Sequence, residues 1–258
     1  MAADLFDAER TGQQIGLLTA LYPDMTLDDA YGVQAALVQR KHDAGMQQIG
    51  WKIGLTSRAM QQALNIDIPD SGVLLDNMLF DDSAAIPANR FIQPRVEAEI
   101  AFVMKSDLSG ENTDRKAVIN ATAHVLPSLE ILDTRILRQD PATGATRKVM
   151  DTIADNAANA GLVLGRQRHA IHETDLRWTG AIVSRDGIVE ETGLGAGVLN
   201  DPVTGIVWLV RRLATYKAGL RAGDIVLSGS FIRPIECPPG SQIQADFGPF
   251  GTVSCHFA

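Results

Sequence analysis

The spacing of apolar positions changes character along the chain. Up to about residue 47 they recur at helical intervals, most clearly in LDDAYGVQAALVQRKHDAG. Thr26 and Asp29 form a capping-box pattern before that run, and Gly45 stops it. From Ile49 the period shortens. IGWKIGLT predicts a strand running into a turn, and SRAMQQALN a short helix. DIPDSGVLLDNMLFDDSAAIPANRF, broken by Pro and Gly, predicts loops and short strands. PRVEAEIAFVM predicts a strand, residues 114–126 a helix, and VLPSLEILDTR another strand. RQDPATGATRKV is polar and turn-rich, which predicts an exposed loop. DTIADNAANAGLVLG joins small and polar residues to an apolar strand, a texture that suits backbone lining a site. LRWTGAIVSRDGIVEETG predicts a hairpin turning at Asp186-Gly187. NDPVTGIVWLVRRLATYKAG predicts a helix capped by Asn200 or Asp201, with Pro202 in its first turn and Gly219 past its end. Strands and turns fill the remainder, without repeats or low-complexity linkers. The pattern predicts an α+β protein, with a helical N-terminal region (1–47) packed on a mixed, β-rich domain (48–258).

Composition adds bounds. The chain has 258 residues, 45% hydrophobic and 21% charged, enough for a sizeable core in an ordinary globular protein. A net charge of −8 with no basic stripe argues against a nucleic-acid partner. It leaves room for an acidic small molecule, because a local metal or Lys can hold an anion. No run of about 18 apolar residues exists, which predicts no membrane span. MAADLFDAERTGQQIG lacks the apolar centre of a signal peptide, so a cytoplasmic location is expected. Cys237 and Cys255 match no zinc pattern and are expected as buried free thiols.

The chemistry starts from Glu97 and Glu99 in PRVEAEIAFVM. Strand side chains alternate, so both point to one face, roughly 7 Å apart along the backbone. Like charges so close repel unless water or a cation compensates. A solvated strand face is the commoner explanation of a bare E-x-E pattern. A third carboxylate, Glu130, sits between Leu129 and Ile131, where an unpaired charge is costly. Three carboxylates without a neighbouring His or Cys suit a hard cation, Mg²⁺ or Mn²⁺. His124, His169, His172 and His256 lack metal spacing, and Ser228 and Ser230 in LSGSF do not form a nucleophile elbow.

GWKIGLTS, PRVEAEIAF, LPSLEILDTR, DTIADNAANAGLVLG and AGDIVLSGSF occur in the same order as in the 2-keto-4-pentenoate hydratase group of the fumarylacetoacetate hydrolase superfamily, which the chain resembles over nearly its whole length. The resemblance implies a mixed β-roll with a helical N-terminal part, in homo-oligomers. It implies metal ligation by Glu97, Glu99 and Glu130, an active-site lysine at Lys52 and a nearby acid/base at Asp70. Leu55, Asp155, Ser230 and Arg233 are expected to contact substrate, Arg233 as anchor of a remote carboxylate. DTIADNAANAG, GVLNDP and GSFIRP direct the expected substrate, among 2-oxo and 2-hydroxydienoic acids, to 2-oxo-hept-4-ene-1,7-dioate. Hydration to 4-hydroxy-2-oxoheptanedioate, in aromatic meta-cleavage catabolism, is the expected reaction. The alternatives are a decarboxylase of the 4-oxalocrotonate type, a C–C hydrolase, and a non-catalytic partner subunit, which the intact trio of glutamates with Lys52 opposes.

Overall fold

In a computed structural model, residues 1–63 and 68–258 are described. The helices in chain order are α1 (Ala2–Thr11), α2 (Leu18–Leu21), α3 (Leu27–Asp43), α4 (Arg58–Ala63), α5 (Arg115–Ala121), α6 (Val149–Ala154) and α7 (Pro202–Thr215). The strands are β1 (Gln48–Gly54), β2 (Asp70–Leu75), β3 (Leu79–Phe80), β4 (Ala84–Ile86), β5 (Arg95–Met104), β6 (Thr122–Leu132), β7 (Asn159–Leu164), β8 (Gly180–Arg185), β9 (Ile188–Leu194), β10 (Ile225–Leu227), β11 (Ile235–Glu236), β12 (Gln242–Asp246) and β13 (Thr252–Phe257). The α+β expectation holds. One sheet runs β2-β1-β10-β5-β6-β7-β3, with β11 also on β5, and a second runs β4-β13-β12-β8-β9. Pairing is mixed: β1–β10, β3–β7 and β4–β13 are parallel and the other pairs antiparallel.

Local signals read from the sequence reappear. The Thr26 side chain accepts from the Asp29 amide and the Asp29 carboxylate from the Thr26 amide, which closes the capping box of α3. Asp201, rather than Asn200, caps α7 by accepting from the Val203 amide. Asp186 and Gly187 both take positive φ in the β8–β9 turn, as a two-residue hairpin requires. The SRAMQQALN helix begins at Arg58 as expected, while Leu64 and Asn65 lie outside the described residues.

The predicted helix 114–126 is corrected. Asp114 caps α5, but the helix stops at Ala121 and Thr122 opens β6. Residues 122–126 pair with β5 as far as Met104, and that long antiparallel register overrides their helical spacing. The long β5–β6 pair separates two apolar clusters. Val96, Ala98, Ile100, Leu129 and Ile131 join a core that takes in α7 and the second sheet, while Ala101 and Leu126 join Leu74, Leu75, Leu162 and Leu227 on the other face. The first three helices share a further cluster with Ile136, Ile153 and Ala154, which ties them to α6.

Among the described residues no helix is long and apolar enough to cross a membrane. Cys237 and Cys255 are free and buried, and burial pushes both thiols up, Cys255 to about 12.

Candidate active site

The β5–β6 register sets Glu97 directly opposite Glu130, and Glu99 opposite Ser128, so all three glutamates share one face. One carboxylate oxygen from each lies within 4.8 Å of the others, and this is the single such group of three among the described residues. Glu99 and Glu130 are buried and Glu97 is half-buried. Directly opposed like charges destabilise a strand pair. One oxygen is matched: the Gly229 amide donates to Glu99 Oε2 at 2.7 Å. Glu99 Oε1 and both Glu130 oxygens have no hydrogen-bond partner among the described residues. Burial raises all three carboxyls; the charge of Glu130 adds to it at Glu97, which reaches about 8, and at Glu99, which rises well above the ordinary range, while at Glu130 Lys52 acts against the rise. Buried, unmatched, purely oxygen donors fit a hard divalent cation.

Lys52 projects from β1, buried, with Nζ 3.4 Å from Glu130 Oε1, an ion-pair contact rather than an aligned hydrogen bond. Burial alone would lower its pKa, but the fields of Glu130, Asp70, Glu97 and Glu99 outweigh it and the net shift is upward. The ammonium form of Lys52 is thus favoured by each of these carboxylates that is ionised. Asp70 opens β2 and pairs in register with Gly54. Burial raises its carboxyl, while Lys52 and the Gly54 amide act against that shift. Asp70 Oδ1 is buried without a hydrogen-bond partner among the described residues. Gly54 is required here: a Cβ at that position would lie 2.2 Å from Asp70 Oδ1 and 3.0 Å from Lys52 Nζ. Gly229 has φ +111°, and a Cβ there would strike Thr56 Oγ1 at 2.3 Å, so only glycine brings this amide to Glu99.

The strand carrying Asp70 is anchored from its outer side. Asn156 uses its side-chain amide as a strand would use its backbone, accepting from the Val73 amide and donating to the Val73 carbonyl. Asn159 donates to the same carbonyl. To reach this position Asn156, Ala157 and Ala158 all adopt left-handed φ, a strained run for residues with a Cβ. From α3, Gln34 Nε2 donates to the Ser71 and Ile153 carbonyls, and the Tyr31 hydroxyl accepts from the Ser71 amide. The guanidinium of Arg212 on α7 stacks on the Tyr31 ring.

No family model matches the chain. It is 47% identical over 257 residues to 2-oxo-hept-4-ene-1,7-dioate hydratase of Escherichia coli, covering 100% of this chain and 96% of that one. It is 38% identical over 256 residues to 2-keto-4-pentenoate hydratase of Paraburkholderia xenovorans (strain LB400), covering 99% and 93%. The chain belongs to the 2-keto-4-pentenoate hydratase family. A solved structure, 4-oxalocrotonate decarboxylase from Pseudomonas putida G7 complexed with magnesium and adipate, superposes with a TM-score of 0.93 at 31% identity, covering 100% of this chain and 95% of that one. Relatives of this chain thus include proteins named as hydratases and proteins named as decarboxylases.

Against that family membership, the sequence-predicted residues divide. Glu97, Glu99, Glu130, Lys52 and Asp70 come together. Leu55 adjoins Gly54 with left-handed φ, and its carbonyl accepts from Gln61 Nε2. Ser230 follows Gly229, but its hydroxyl is engaged by the backbone of Ile232. Asp155, expected at the substrate, is buried in an ion pair: one oxygen accepts from Arg135 Nε and the other from the Arg135 amide. Arg233, expected as the remote anchor, is 80% exposed and ion-paired with Glu191 at 2.6 Å. Sequence reading missed the Gly229 amide, Asn156 as a mimic of backbone, and the Tyr31–Arg212 stack. The SGS run of LSGSF was the one visible hint of the first.

Proposed function

We propose that this protein is a divalent-cation-dependent hydratase that converts 2-oxo-hept-4-ene-1,7-dioate to 4-hydroxy-2-oxoheptanedioate. The observation that carries the reading is the convergence of three glutamates, two of them buried, beside Lys52 and Asp70. Glu97, Glu99 and Glu130 would hold the cation, Mg²⁺ or Mn²⁺, which when bound supplies a Lewis acid for the substrate's 2-oxo acid end. Lys52, held as an ammonium, gives that end a cationic partner and prevents substrate from lying between uncompensated carboxylates. The Gly229 amide keeps Glu99 turned toward the cluster.

The reaction then needs proton carriers. A proton leaves C3 and one arrives at C5; water oxygen bonds to C4 and its proton ends at C3, for the net addition of one water. Asp70 suits the shuttle, because burial favours its protonated form and Oδ1 is not committed to a protein donor. Decarboxylation of a related diacid would use the same first groups and differ in the bond broken.

The protein is further proposed to be cytoplasmic and to form homo-oligomers, with its two sheets forming the superfamily's mixed β-roll over residues 48–258. Trp178, Ile182, Ile188, Val189 and Leu194, exposed around the edge hairpin β8–β9, offer a face that a second copy would cover. Sedimentation of the wild type and of a Trp178→Glu/Ile188→Lys variant tests this, with equal mass for both counting against it. The activity is tested by incubating the protein with Mg²⁺ and 2-hydroxyhepta-2,4-diene-1,7-dioate and weighing the product. Gain of one water is expected. Loss of carbon dioxide would favour the decarboxylase, and unchanged substrate would overturn both.

A further inference from the structure

A seven-carbon diacid carries a second carboxylate at the end remote from the glutamate trio. In a neighbourhood already rich in Glu and Asp, that charge needs a cation of its own. Arg233 does not provide it, being exposed and already paired. The Lys52–Asp70 pair leads instead to another arginine. The residue after Asp70, Ser71, donates its amide to the Tyr31 hydroxyl at 3.3 Å. The guanidinium carbon of Arg212 lies 3.8 Å from the centre of the Tyr31 ring, 5.9 Å from that of Trp208 and 5.5 Å from that of Tyr216. Its field reaches both Asp70 and Tyr31. Among the described residues Arg212 joins no ion pair, and it is half-buried.

This arrangement differs from an ordinary surface arginine. Aromatic rings satisfy the faces of a guanidinium and restrict its rotation, but they accept nothing from its edge. The edge carries the planar fork of N–H donors that matches a carboxylate with two hydrogen bonds. Because three rings, Tyr31 on α3, Trp208 on α7 and Tyr216 just past its end, fix the cation beforehand, little side-chain freedom is lost when an anion docks. Asp70 stands within its field but is turned to Gly54 and Lys52. Arg212 is thus a preoriented cation whose field reaches Asp70, the acid of the proton-handling pair.

We propose that Arg212, held by Tyr31, Trp208 and Tyr216, takes the remote carboxylate of a linear dicarboxylate whose other end lies at Lys52, and so selects diacids over monoacids. The proposal rests on the hydratase reading for its substrate, and its test does not require turnover. Adipate and pentanoate serve as probes, titrated calorimetrically in Mg²⁺ buffer into the wild type, Arg212→Gln and Arg212→Lys. The wild type is expected to prefer adipate. Arg212→Gln should weaken adipate by about 10²-fold, the scale of leaving a charge without its partner, and leave pentanoate unchanged. Arg212→Lys keeps the charge but not the fork, and should fall between.

Three results overturn it: a wild type that fails to bind adipate or binds both probes alike, a parallel loss of both probes in Arg212→Gln and Arg212→Lys, or no loss at all. A parallel loss would mean that Arg212 only stitches α7 to α3. A wild type that selects adipate through Arg212 yet leaves the dienedioate unhydrated would sink the proposed reaction and not this site.

Discussion

Removing divalent cations and returning Mg²⁺ at different pH values probes the glutamate trio directly. Its facing oxygens lie within 4.8 Å of one another. Two full charges at that separation, in an effective dielectric of about 20, repel by about 3 kcal/mol, equivalent to about two pH units. Burial acts in the same direction and is the larger cause, and together they push Glu97 up to about 8 and Glu99 well above its usual value. Without a cation the cluster therefore keeps protons at neutral pH. A divalent cation binds the ionised carboxylates and must displace those protons. Mg²⁺ affinity should rise about tenfold per pH unit for each proton displaced, and the part due to Glu97 should level off above about pH 8.

Stability of the cation-free protein follows the opposite course. A carboxyl raised on folding favours the folded state while protonated. That contribution is complete below the unfolded value near 4.5 and is lost as pH rises through about 8, so the melting temperature should decline across this window. Mg²⁺ at about a hundred times its dissociation constant adds about 2.7 kcal/mol, or about 5–10 °C for a chain of this size. Calorimetry in two buffers of contrasting ionisation enthalpy counts the protons released, and thermal melts follow stability. Mg²⁺ affinity that is flat from about pH 6.5 to about pH 9 with no proton release would refute the reasoning.

Lys52→Ala should lower turnover by about 10²–10⁴ while Mg²⁺ still binds, read from loss of dienoate absorbance beside a calorimetric titration. Gly54→Ala places a methyl 2.2 Å from Asp70 Oδ1, so turnover should fall sharply with Mg²⁺ affinity retained; wild-type kinetics would show that Asp70 is not where the chemistry needs it. Arg135→Met strands Asp155 and should cost about 3–5 kcal/mol, whereas adding Asp155→Leu should restore much of it; both are measured by denaturant unfolding.

The glutamates were legible because alternation and apolar flanks are local properties of a strand. Their convergence was not, because the Glu97–Glu130 register is a pairing of residues far apart in sequence. The same non-local pairing explains the overlong helix after Asp114: the run through Val125 has helical spacing, and only β5 decides otherwise. The small and polar texture of DTIADNAANAG points to backbone lining a site. Its Asp155 instead neutralises Arg135, a residue that appears in the sequence only as the end of a strand motif, and its asparagines brace β2. Arg233 stands out in the sequence by its place after GSFI. Nothing local announced that Glu191, on the β8–β9 hairpin, would hold it at the surface.

Why the trio persists with only Lys52 beside it is a question of which term is larger. The strands could relieve the repulsion only by slipping or separating. A slip of one residue would turn Val96, Ala98, Ile100, Leu129 and Ile131 out of the core, because the side-chain period is two. Each large aliphatic side chain among them contributes about 1.5–3 kcal/mol by burial, so together they exceed the repulsion of one carboxylate pair. Separation is resisted on the other face by Ala101, Leu126 and their neighbours. Lys52 cannot neutralise three carboxylates as well as Asp70, and the Gly229 amide matches a single oxygen. Two ways to lower the energy then remain, protonation or a divalent cation. A fold that fixes the carboxylates by its hydrophobic faces thus converts their repulsion into affinity for a cation at the pH where the protons leave.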